Sequence, residues 1–287
     1  MKNFIVAKIT DEQWAEKLLN GEVFMRPLRE FGTWSLNEHI DDEKLNNSFR
    51  GDCGEGVLEV NSDVNQDHRC YGLDPRVMKY VIATRTIDVG DLQYFKIFCM
   101  YALEIENGIP EKPSEKLREF GDTAVVITDF DAFIRRVLRK HLEEDGEQLL
   151  VLLDRVEYYS LSDTKKLTPL FSKSEDYSWQ NEMRYAFAKL GNPSWEKNHT
   201  PGTGRMIIDT ERKTLDIGDI NDIAIKMPID DFINLRFPEG YKARYALSTD
   251  EPSCVDLMIR DTKRAMKNYK VFGATTQMIL SEDIVRR

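Results

Sequence analysis

The chain has 287 residues, of which 41% are hydrophobic and 31% are charged, so its composition excludes a wholly disordered protein and fits one large domain or two smaller ones. Fifty acidic and 40 basic side chains give a formal net charge of −10, which disfavours nonspecific binding to nucleic acid because phosphate neutralisation needs clustered cations. No apolar run approaches the roughly 20 residues that a membrane helix needs, and the early charged residues are not typical of a signal peptide, so we expect a cytoplasmic protein without a membrane partner.

The N-terminal part of the sequence predicts a strand, a helix, a second strand and then a long polar insertion. Residues 4–9 alternate apolar and polar side chains, as a strand does, and residues 10–13 have the pattern of a capping box. Apolar side chains at helical spacing follow in residues 14–19. Residues 22–25 predict a short strand, whereas residues 36–66 are polar and predict a loop.

The middle of the sequence predicts a hairpin followed by a strand and an amphipathic helix. Residues 78–87 and 94–105 are rich in β-branched and aromatic side chains and flank a turn, which is typical of a β-hairpin. Residues 123–128 predict a further strand. The apolar side chains of residues 129–142 recur at helical spacing, and we expect His141 to close the basic end of this helix, where a positive charge suits the helix dipole.

The remaining sequence adds strands and helices in an irregular order. The predicted strands are residues 149–159, 182–188, 205–209 and 222–226, and the predicted helices are residues 228–233 and 255–269. Because strands and helices do not alternate regularly, we expect an α+β fold with a mainly antiparallel sheet, flanking helices and long polar insertions. We expect a core domain of residues 1–190 and a C-terminal subdomain of residues 191–287. The boundary falls in a segment rich in glycine, proline and asparagine.

A basic stretch near the C-terminus contrasts with the acidic chain as a whole. From Arg260 to Lys270 there are five basic residues and one acidic residue. A run of this kind is usually the solvated face of a helix, although it also suits a partner. Both interpretations stay open.

The motif richest in reactive side chain types lies between Lys173 and Arg184. It contains Lys173, Trp179, Glu182 and Arg184. In a strand, alternate residues share a face, so Glu182 and Arg184 are predicted to lie side by side on one face. Such a pair is either a structural ion pair or a site in which Glu182 holds a ribose hydroxyl or stabilises a developing positive charge beside a stacking Trp179.

A second candidate site is a glycine-rich turn. Its charged residues, which can bind a ribose, a cation or a basic partner side chain, are Arg50, Asp52 and Glu55. Flanking glycines let the backbone turn sharply and let a ligand approach closely. The structural alternative is that Asp52 simply caps the turn.

Signatures of cofactor and metal binding are missing from the sequence. We find no phosphate-binding loop, no dinucleotide-binding glycine motif, no nucleophile elbow and no zinc-protease motif, and we therefore expect no cofactor. Cys53, His68 and Cys70 form a partial ligand set without a Cys-x-x-Cys pair, so we expect no metal either.

Taken together, the motifs resemble a weakly characterised family of bacterial and phage proteins that includes some abortive-infection proteins. The residues that match the family pattern are Asp52, Glu55, Lys173, Trp179, Glu182 and Arg184. Gln180 and Asn181 stand where the family usually has Tyr-Glu. The resemblance covers roughly residues 11–188 and implies a role in conflict between phage and bacterium.

This resemblance and the charge lead to two hypotheses. The first is a non-catalytic inhibitor that binds a host protein complex, because an acidic surface suits a basic partner. The second follows from a more distant resemblance to the ADP-ribosyltransferase fold, which implies NAD as cofactor, Glu182 as the catalytic glutamate and Arg50 as the early basic residue. The serine-centred middle strand of that fold has no clear counterpart here. Homo-oligomerisation stays open under both hypotheses.

Overall fold

The computed structural model describes residues 3–33, 57–61, 84–87, 94–106, 109–110, 112–145, 149–160, 162, 165–189, 211–235 and 253–272. The strands are β1 (Asn3–Thr10), β2 (Glu22–Pro27), β3 (Val57–Asn61), β4 (Thr84–Ile87), β5 (Lys96–Glu106), β6 (Ile109–Pro110), β7 (Thr123–Ile127), β8 (Leu149–Arg155), β9 (Glu157–Tyr159), β10 (Lys165–Lys166), β11 (Ser172–Ser174), β12 (Glu182–Lys189), β13 (Lys213–Asp216) and β14 (Ala224–Pro228). The α-helices are α1 (Glu12–Leu19), α2 (Leu28–Thr33), α3 (Phe130–Asp145), α4 (Ile229–Ile233) and α5 (Cys254–Phe272), and the 3₁₀ helices are Glu115–Phe120, Pro169–Phe171 and Glu175–Gln180.

The chain forms two compact units. The first unit comprises Met1–Pro27, Phe95–Arg155 and Trp179–Arg287, and the second comprises Leu28–Tyr94 and Val156–Ser178. The predicted domain boundary in residues 191–204 lies outside the described residues and stays a prediction.

The first unit is built on a nine-stranded sheet. Its central strands run in the order β8-β12-β5-β1-β7-β14, and β2 also pairs with β5 and carries β13 on its other edge. All of these pairs are antiparallel. The prediction of an α+β fold with a mainly antiparallel sheet is confirmed.

Both faces of β12, β5, β1 and β7, the strands at the centre of this sheet, are buried, because period-2 alternation places apolar side chains on each side of them. One face packs against α1, α3 and α5, and the predicted helical stripe of α3 supplies Phe133, Ile134 and Val137 to this core. The other face packs against α4 and the 3₁₀ helix Glu115–Phe120, and Phe232 of α4 meets Tyr101 of β5 edge to face. The central strands therefore have little exposed surface.

Helix α5 protects the outer edge of β8. The hydroxyl of Thr262, which is fully buried, accepts a hydrogen bond of 2.8 Å from the backbone N–H of Leu153. An unpaired strand edge would otherwise leave this donor without a partner inside the protein. The predicted C-terminal helix is confirmed. It packs against β8 and supplies a hydrogen-bond acceptor to one backbone donor on the edge of that strand.

The second unit contains two small sheets. In one, β3 lies between β10 and β4, and in the other β9 and β11 pair in parallel. Tyr159 and Phe171 are buried apolar residues of this unit.

Two predictions about strands are wrong. The hairpin expected from residues 78–87 and 94–105 is absent from the described residues. Strand β4 pairs with β3 instead of β5. Both edges of β5 are taken by other strands, since β1 and β2 pair with one edge and β12 and β6 pair with the other. The single strand expected at residues 149–159 is two strands. The carboxylate of Asp154 accepts the N–H of Arg155, which ends β8, and β9 then pairs in the second unit.

Two predictions about the N-terminal region are also wrong. The expected loop at residues 36–66 contains β3. The expected capping box does not form, because β1 continues through Thr10 and the N-cap residue Asp11 makes no side-chain bond. The side chain of Asp122 instead accepts the N–H of Glu12 at 3.1 Å, so a residue distant in the sequence caps α1.

Candidate functional site

The motif from Lys173 to Arg184, which we call the late motif, is divided between the two units. Lys173 lies in β11 of the second unit, whereas Trp179, Glu182 and Arg184 lie in the first unit. Glu182 and Arg184 belong to β12, which runs between β5 and β8. The structure brings these two residues into direct contact, as the alternation of a strand predicts.

Glu182 and Arg184 form a two-pronged ion pair inside the sheet. The Nε of Arg184 donates to Oε1 of Glu182 at 2.7 Å, and its Nη2 donates to Oε2 at 3.2 Å. Their side chains are only 1% and 7% exposed, for Arg184 and Glu182 respectively. A buried charge is tolerated when it is paired and hydrogen-bonded, and the planar guanidinium matches a carboxylate in this geometry. Both oxygens of the candidate catalytic carboxylate are therefore engaged by one neighbouring cation.

The pair belongs to a polar row that crosses three strands. In the strand register, Arg184 lies opposite Cys99 of β5 on one side and opposite Asp154 of β8 on the other. Burial raises the pKa of the Cys99 thiol well above its ordinary value, and the charge of Glu182 raises it further, although Arg184 and Lys8 act in the opposite direction. A thiol with a raised pKa stays protonated near neutral pH and is a poor nucleophile.

Asn181 sets the point at which the chain enters β12. Its φ of 39° lies in the left-handed region, which asparagine tolerates better than most residues that have a side chain. Its carbonyl accepts the N–H of Ala102 at 2.8 Å, and its side-chain oxygen accepts from the guanidinium of Arg155 at 2.5 Å. Asn181 therefore fixes the turn in front of Glu182.

The ring of Trp179 packs against a neighbouring helix. Its centroid lies 5.4 Å from that of Phe120, and the ammonium of Lys116 lies 5.7 Å from it. Trp179 borders the apolar core beneath α4. These contacts anchor the 3₁₀ helix that precedes β12, and stacking of Trp179 on a ligand stays a prediction.

Of the other sequence-predicted site residues, the structure describes Lys173. Lys173 is 4% exposed, and its ammonium lies 4.9 Å from the ring of Tyr177 in the same unit. Arg50, Asp52 and Glu55 lie outside the described residues, and so do the rest of the glycine-rich turn and the partial ligand set of Cys53, His68 and Cys70. A binding role for these residues stays a prediction.

The structure places a second buried polar cluster where the sequence predicted only a helix end. His141 is fully buried, and its Nδ1 lies 3.0 Å from the carboxylate of Asp145. Its ring packs against Phe187 and Tyr185 of β12, at centroid distances of 4.1 and 5.9 Å. The carboxylate of Asp145 also binds Lys189 at 2.7 Å. The prediction of a charged His141 at a helix end is wrong, because α3 continues to Asp145 and turns His141 toward the core.

The electrostatics of this cluster keep His141 neutral. Burial lowers the pKa of His141, and the hydrogen bond with Asp145 offsets only part of this effect. Burial acts to raise the pKa of Asp145, but bonds from His141 and Lys189 and the charge of Lys213 outweigh it and lower that pKa. A neutral His141 that donates its Nδ1–H to a carboxylate has an acceptor at Nε2.

Two polar atoms of this cluster have no hydrogen-bond partner among the described residues. They are Nε2 of His141 and the hydroxyl oxygen of Tyr185. An aspartate–histidine pair acts as a base only when a substrate reaches the free ring nitrogen, and here the ring is enclosed by aromatic side chains. The i,i+4 spacing of His141 and Asp145 is the one signal in the sequence for this contact, but Asp145 lies beyond the predicted helix of residues 129–142, so the contact was not predicted.

Within the described part of the chain, no three His, Cys, Asp or Glu side chains are grouped as metal ligands. Among the described helices, none has the length and apolar content needed to cross a membrane. Comparison of the chain with family models, curated proteins and solved structures finds no match. The resemblance drawn from the late motif therefore stays a prediction.

Proposed function

We propose that this protein binds another protein complex and performs no reaction at Glu182. In this proposal it acts in conflict between phage and bacterium as an inhibitor that covers a host complex. The conflict setting follows from the resemblance of the late motif, and the binding mode follows from the geometry of that motif and from the charge of the chain.

The observation that carries the proposal is the state of the Glu182 carboxylate. An ADP-ribosyltransferase glutamate must offer an oxygen to a ribose hydroxyl or to the positive charge that develops in the transition state. In this protein both oxygens of Glu182 accept hydrogen bonds from Arg184, and the cation already neutralises the carboxylate. Releasing Glu182 would leave the guanidinium of a 1% exposed side chain without its carboxylate, which is strongly unfavourable. A structural role for the Glu182–Arg184 pair argues against catalysis by Glu182 and so favours the hypothesis of a protein that acts by binding.

Net charge supports a protein partner over nucleic acid. A chain with a formal charge of −10 is repelled by phosphate and attracted to basic protein surfaces. Electrostatic complementarity of this kind speeds association and favours basic partners over acidic ones. We therefore expect the host complex to present a basic surface, such as one that itself binds nucleic acid.

The proposal is tested by recovering the tagged full-length chain from bacterial lysate to which NAD has been added, and by measuring the intact mass of everything bound. We expect a stoichiometric host complex whose components have unmodified masses. The contrary result is the absence of a stable partner, together with lysate proteins or nucleic acids heavier by one ADP-ribose unit. A parallel sample with the Glu182→Gln chain shows whether any such modification depends on this carboxylate.

A further inference from the structure

The ladder formed by β2 and β13 has one buried face and one exposed face. Val23 and Met25 of β2 are fully buried, and so is Leu215, which lies opposite Val23 in β13. The residues on the opposite face, which we call the acidic ladder face, are Glu22, Phe24, Thr214 and Asp216. All four are exposed, so this part of the sheet face is open to a partner.

Two carboxylates of the acidic ladder face lie directly across from each other. Glu22 and Asp216 are register partners in the antiparallel pair. Like charges at opposed positions of a ladder are destabilising, whereas opposite charges there contribute favourably. Within the described residues neither carboxylate forms an ion pair, and the one contact of Asp216 is a hydrogen bond of 3.0 Å from the N–H of Gly218. A cation placed between Glu22 and Asp216 would remove this repulsion.

A third carboxylate lies in the loop that follows β13. This loop is fastened to the α1–β2 turn, because Ile217 donates its N–H to the carbonyl of Gly21 at 3.0 Å. Gly21 has a φ of 97°, and a Cβ at this position would lie 2.3 Å from the carbonyl oxygen of Gly218, so the close approach of the two turns requires glycine. The carboxylate of Asp219 bonds only to Asn221 within the described part of the chain. The loop fastened at this end of the ladder thus carries a third carboxylate, and the guanidinium of Arg136 donates to the carbonyl of Asp219 at 2.7 Å.

An exposed aromatic side chain lies beside these carboxylates. Phe24 is 38% exposed and shares the acidic ladder face with Glu22, two residues away. The spacing of i and i+2 side chains along a strand is about 7 Å. The guanidinium of Arg26 lies 5.4 Å from the ring centroid of Phe24. Along β2, the ring of Phe24 is thus an apolar surface with the cation of Arg26 on one side and the carboxylate of Glu22 on the other.

We infer that the acidic ladder face binds an extended basic segment of a partner protein, in which a lysine or arginine stands two residues from an apolar side chain. The cation lies between Glu22 and Asp216, and the apolar side chain packs on Phe24. The two-residue spacing in the partner segment matches the two-residue spacing of Glu22 and Phe24, because alternate residues of any extended segment point to one side with the same repeat. This inference rests on the proposed function and names the surface and the chemistry of its partner.

The first test uses two synthetic peptides and the full-length chain. One peptide repeats Lys-Ser-Val-Ser, and the other repeats Lys-Ser-Gly-Ser, so the two have equal charge and differ only in the apolar residue. We expect the first peptide to bind more tightly, as measured by fluorescence anisotropy. The affinity should weaken roughly tenfold in Glu22→Gln/Asp216→Asn, since two charge contacts are lost. Replacement of Phe24 by serine should bring the affinities of the two peptides together.

A matched control separates this surface from general attraction to an acidic protein. The Glu175→Gln/Asp231→Asn variant removes one glutamate and one aspartate charge from exposed positions outside the acidic ladder face. We expect it to bind both peptides as the unaltered chain does. Equal weakening in the control and in Glu22→Gln/Asp216→Asn, or no binding of either peptide, overturns the inference. Because the Glu22→Gln/Asp216→Asn variant relieves a repulsion, its thermal unfolding should occur at the same or a higher temperature.

The recovery of host proteins distinguishes failure of this inference from failure of the proposed function. A stoichiometric unmodified complex recovered equally with the unaltered chain and with Glu22→Gln/Asp216→Asn upholds the proposed function and refutes the acidic ladder face as its surface. A complex recovered with the unaltered chain and with Glu175→Gln/Asp231→Asn, but lost with Glu22→Gln/Asp216→Asn, supports both.

Discussion

The Glu182–Arg184 pair leads to a prediction that separates a structural role from a catalytic one. Replacing Arg184 by methionine keeps an unbranched apolar stem but removes the cation that pairs with the buried carboxylate of Glu182. Breaking a buried pair by removing one partner costs about 3–5 kcal/mol, and the exposures of 1% and 7% place this pair in the buried class. Domains of this size are stable by about 5–15 kcal/mol, so Arg184→Met should remove a large part of the total.

A double-mutant cycle gives the magnitude of the interaction. Glu182→Gln keeps the shape and one acceptor oxygen, yet it removes the negative charge that faces the guanidinium of Arg184. The double variant Glu182→Gln/Arg184→Met contains no buried charge at these positions, so it should be less destabilised than Arg184→Met alone. We expect a coupling free energy of about 1–3 kcal/mol between the two sites.

The assay is equilibrium denaturation in urea, followed by circular dichroism, for the unaltered chain and the three variants. An exposed pair provides the matched control: Arg118 and Asp230 lie 2.8 Å apart with side chains 43% and 68% exposed. Asp230→Asn should change the free energy of unfolding by no more than about 1 kcal/mol, since solvent screens such pairs. The reasoning is refuted if Glu182→Gln is as stable as the unaltered chain but loses the effect of that chain on phage infection of bacterial cells. A catalytic carboxylate is needed for activity and not for stability, so this result would indicate catalysis at Glu182.

Four further predictions follow from the described contacts. The pKa of His141 in the folded protein lies below its ordinary value of 6.5, so as the pH is lowered the unfolded chain takes up a proton before the folded protein does. The free energy of unfolding should therefore fall as the pH is lowered through 6.5. Urea denaturation at about pH 7.5 and about pH 5.5 should show a smaller fall for His141→Phe than for the unaltered chain. Thr262→Val removes the acceptor of the buried Leu153 N–H and should cost about 1–3 kcal/mol by the same assay, with Thr262→Ser as the control that keeps the bond. Asn181→Ala should cost about 1–2 kcal/mol because of the left-handed backbone, whereas Asn181→Gly should lose less, and equal stabilities would contradict this account. Gly21→Ala should lower the midpoint of thermal unfolding, because its Cβ would overlap the backbone of the facing turn, and an unchanged midpoint would show that the two turns can separate freely.

The sequence predicts those features that depend on local periodicity. Glu182 and Arg184 lie on one face of a strand because alternation in β12 requires it, and this prediction is confirmed. The helical spacing in residues 129–142 likewise predicts the buried side of α3. Both patterns are contained within one element, so neither depends on which other elements pack nearby.

Features that depend on neighbours distant in the sequence were not predictable in the same way. The alternation in residues 182–188 predicts a strand, but not that β12 is buried on both faces, which follows from its position between β5 and β8. The hairpin prediction failed for the same reason, since β12 and β6 pair with the edge of β5 opposite β1 and β2. The lowered pKa of His141 also depends on neighbours distant in the sequence. Its i,i+4 partner Asp145 is local, but the aromatic side chains that exclude water from the ring come from β12.

The late motif attracts a catalytic interpretation because lysine, tryptophan, glutamate and arginine are reactive or ligand-binding residue types. In the structure, however, three of its members have partners only a few residues away: Glu182 and Arg184 pair with each other, and Lys173 lies over Tyr177. Short spacing between complementary side chains is what an interior strand or a tight turn requires in order to bury charge. Exposed carboxylates that oppose each other, as Glu22 and Asp216 do, have no such local compensation. A repulsion that the fold itself does not relieve is the better indication of a partner, and for this reason the search for function in this protein begins at its surface, on β2 and β13.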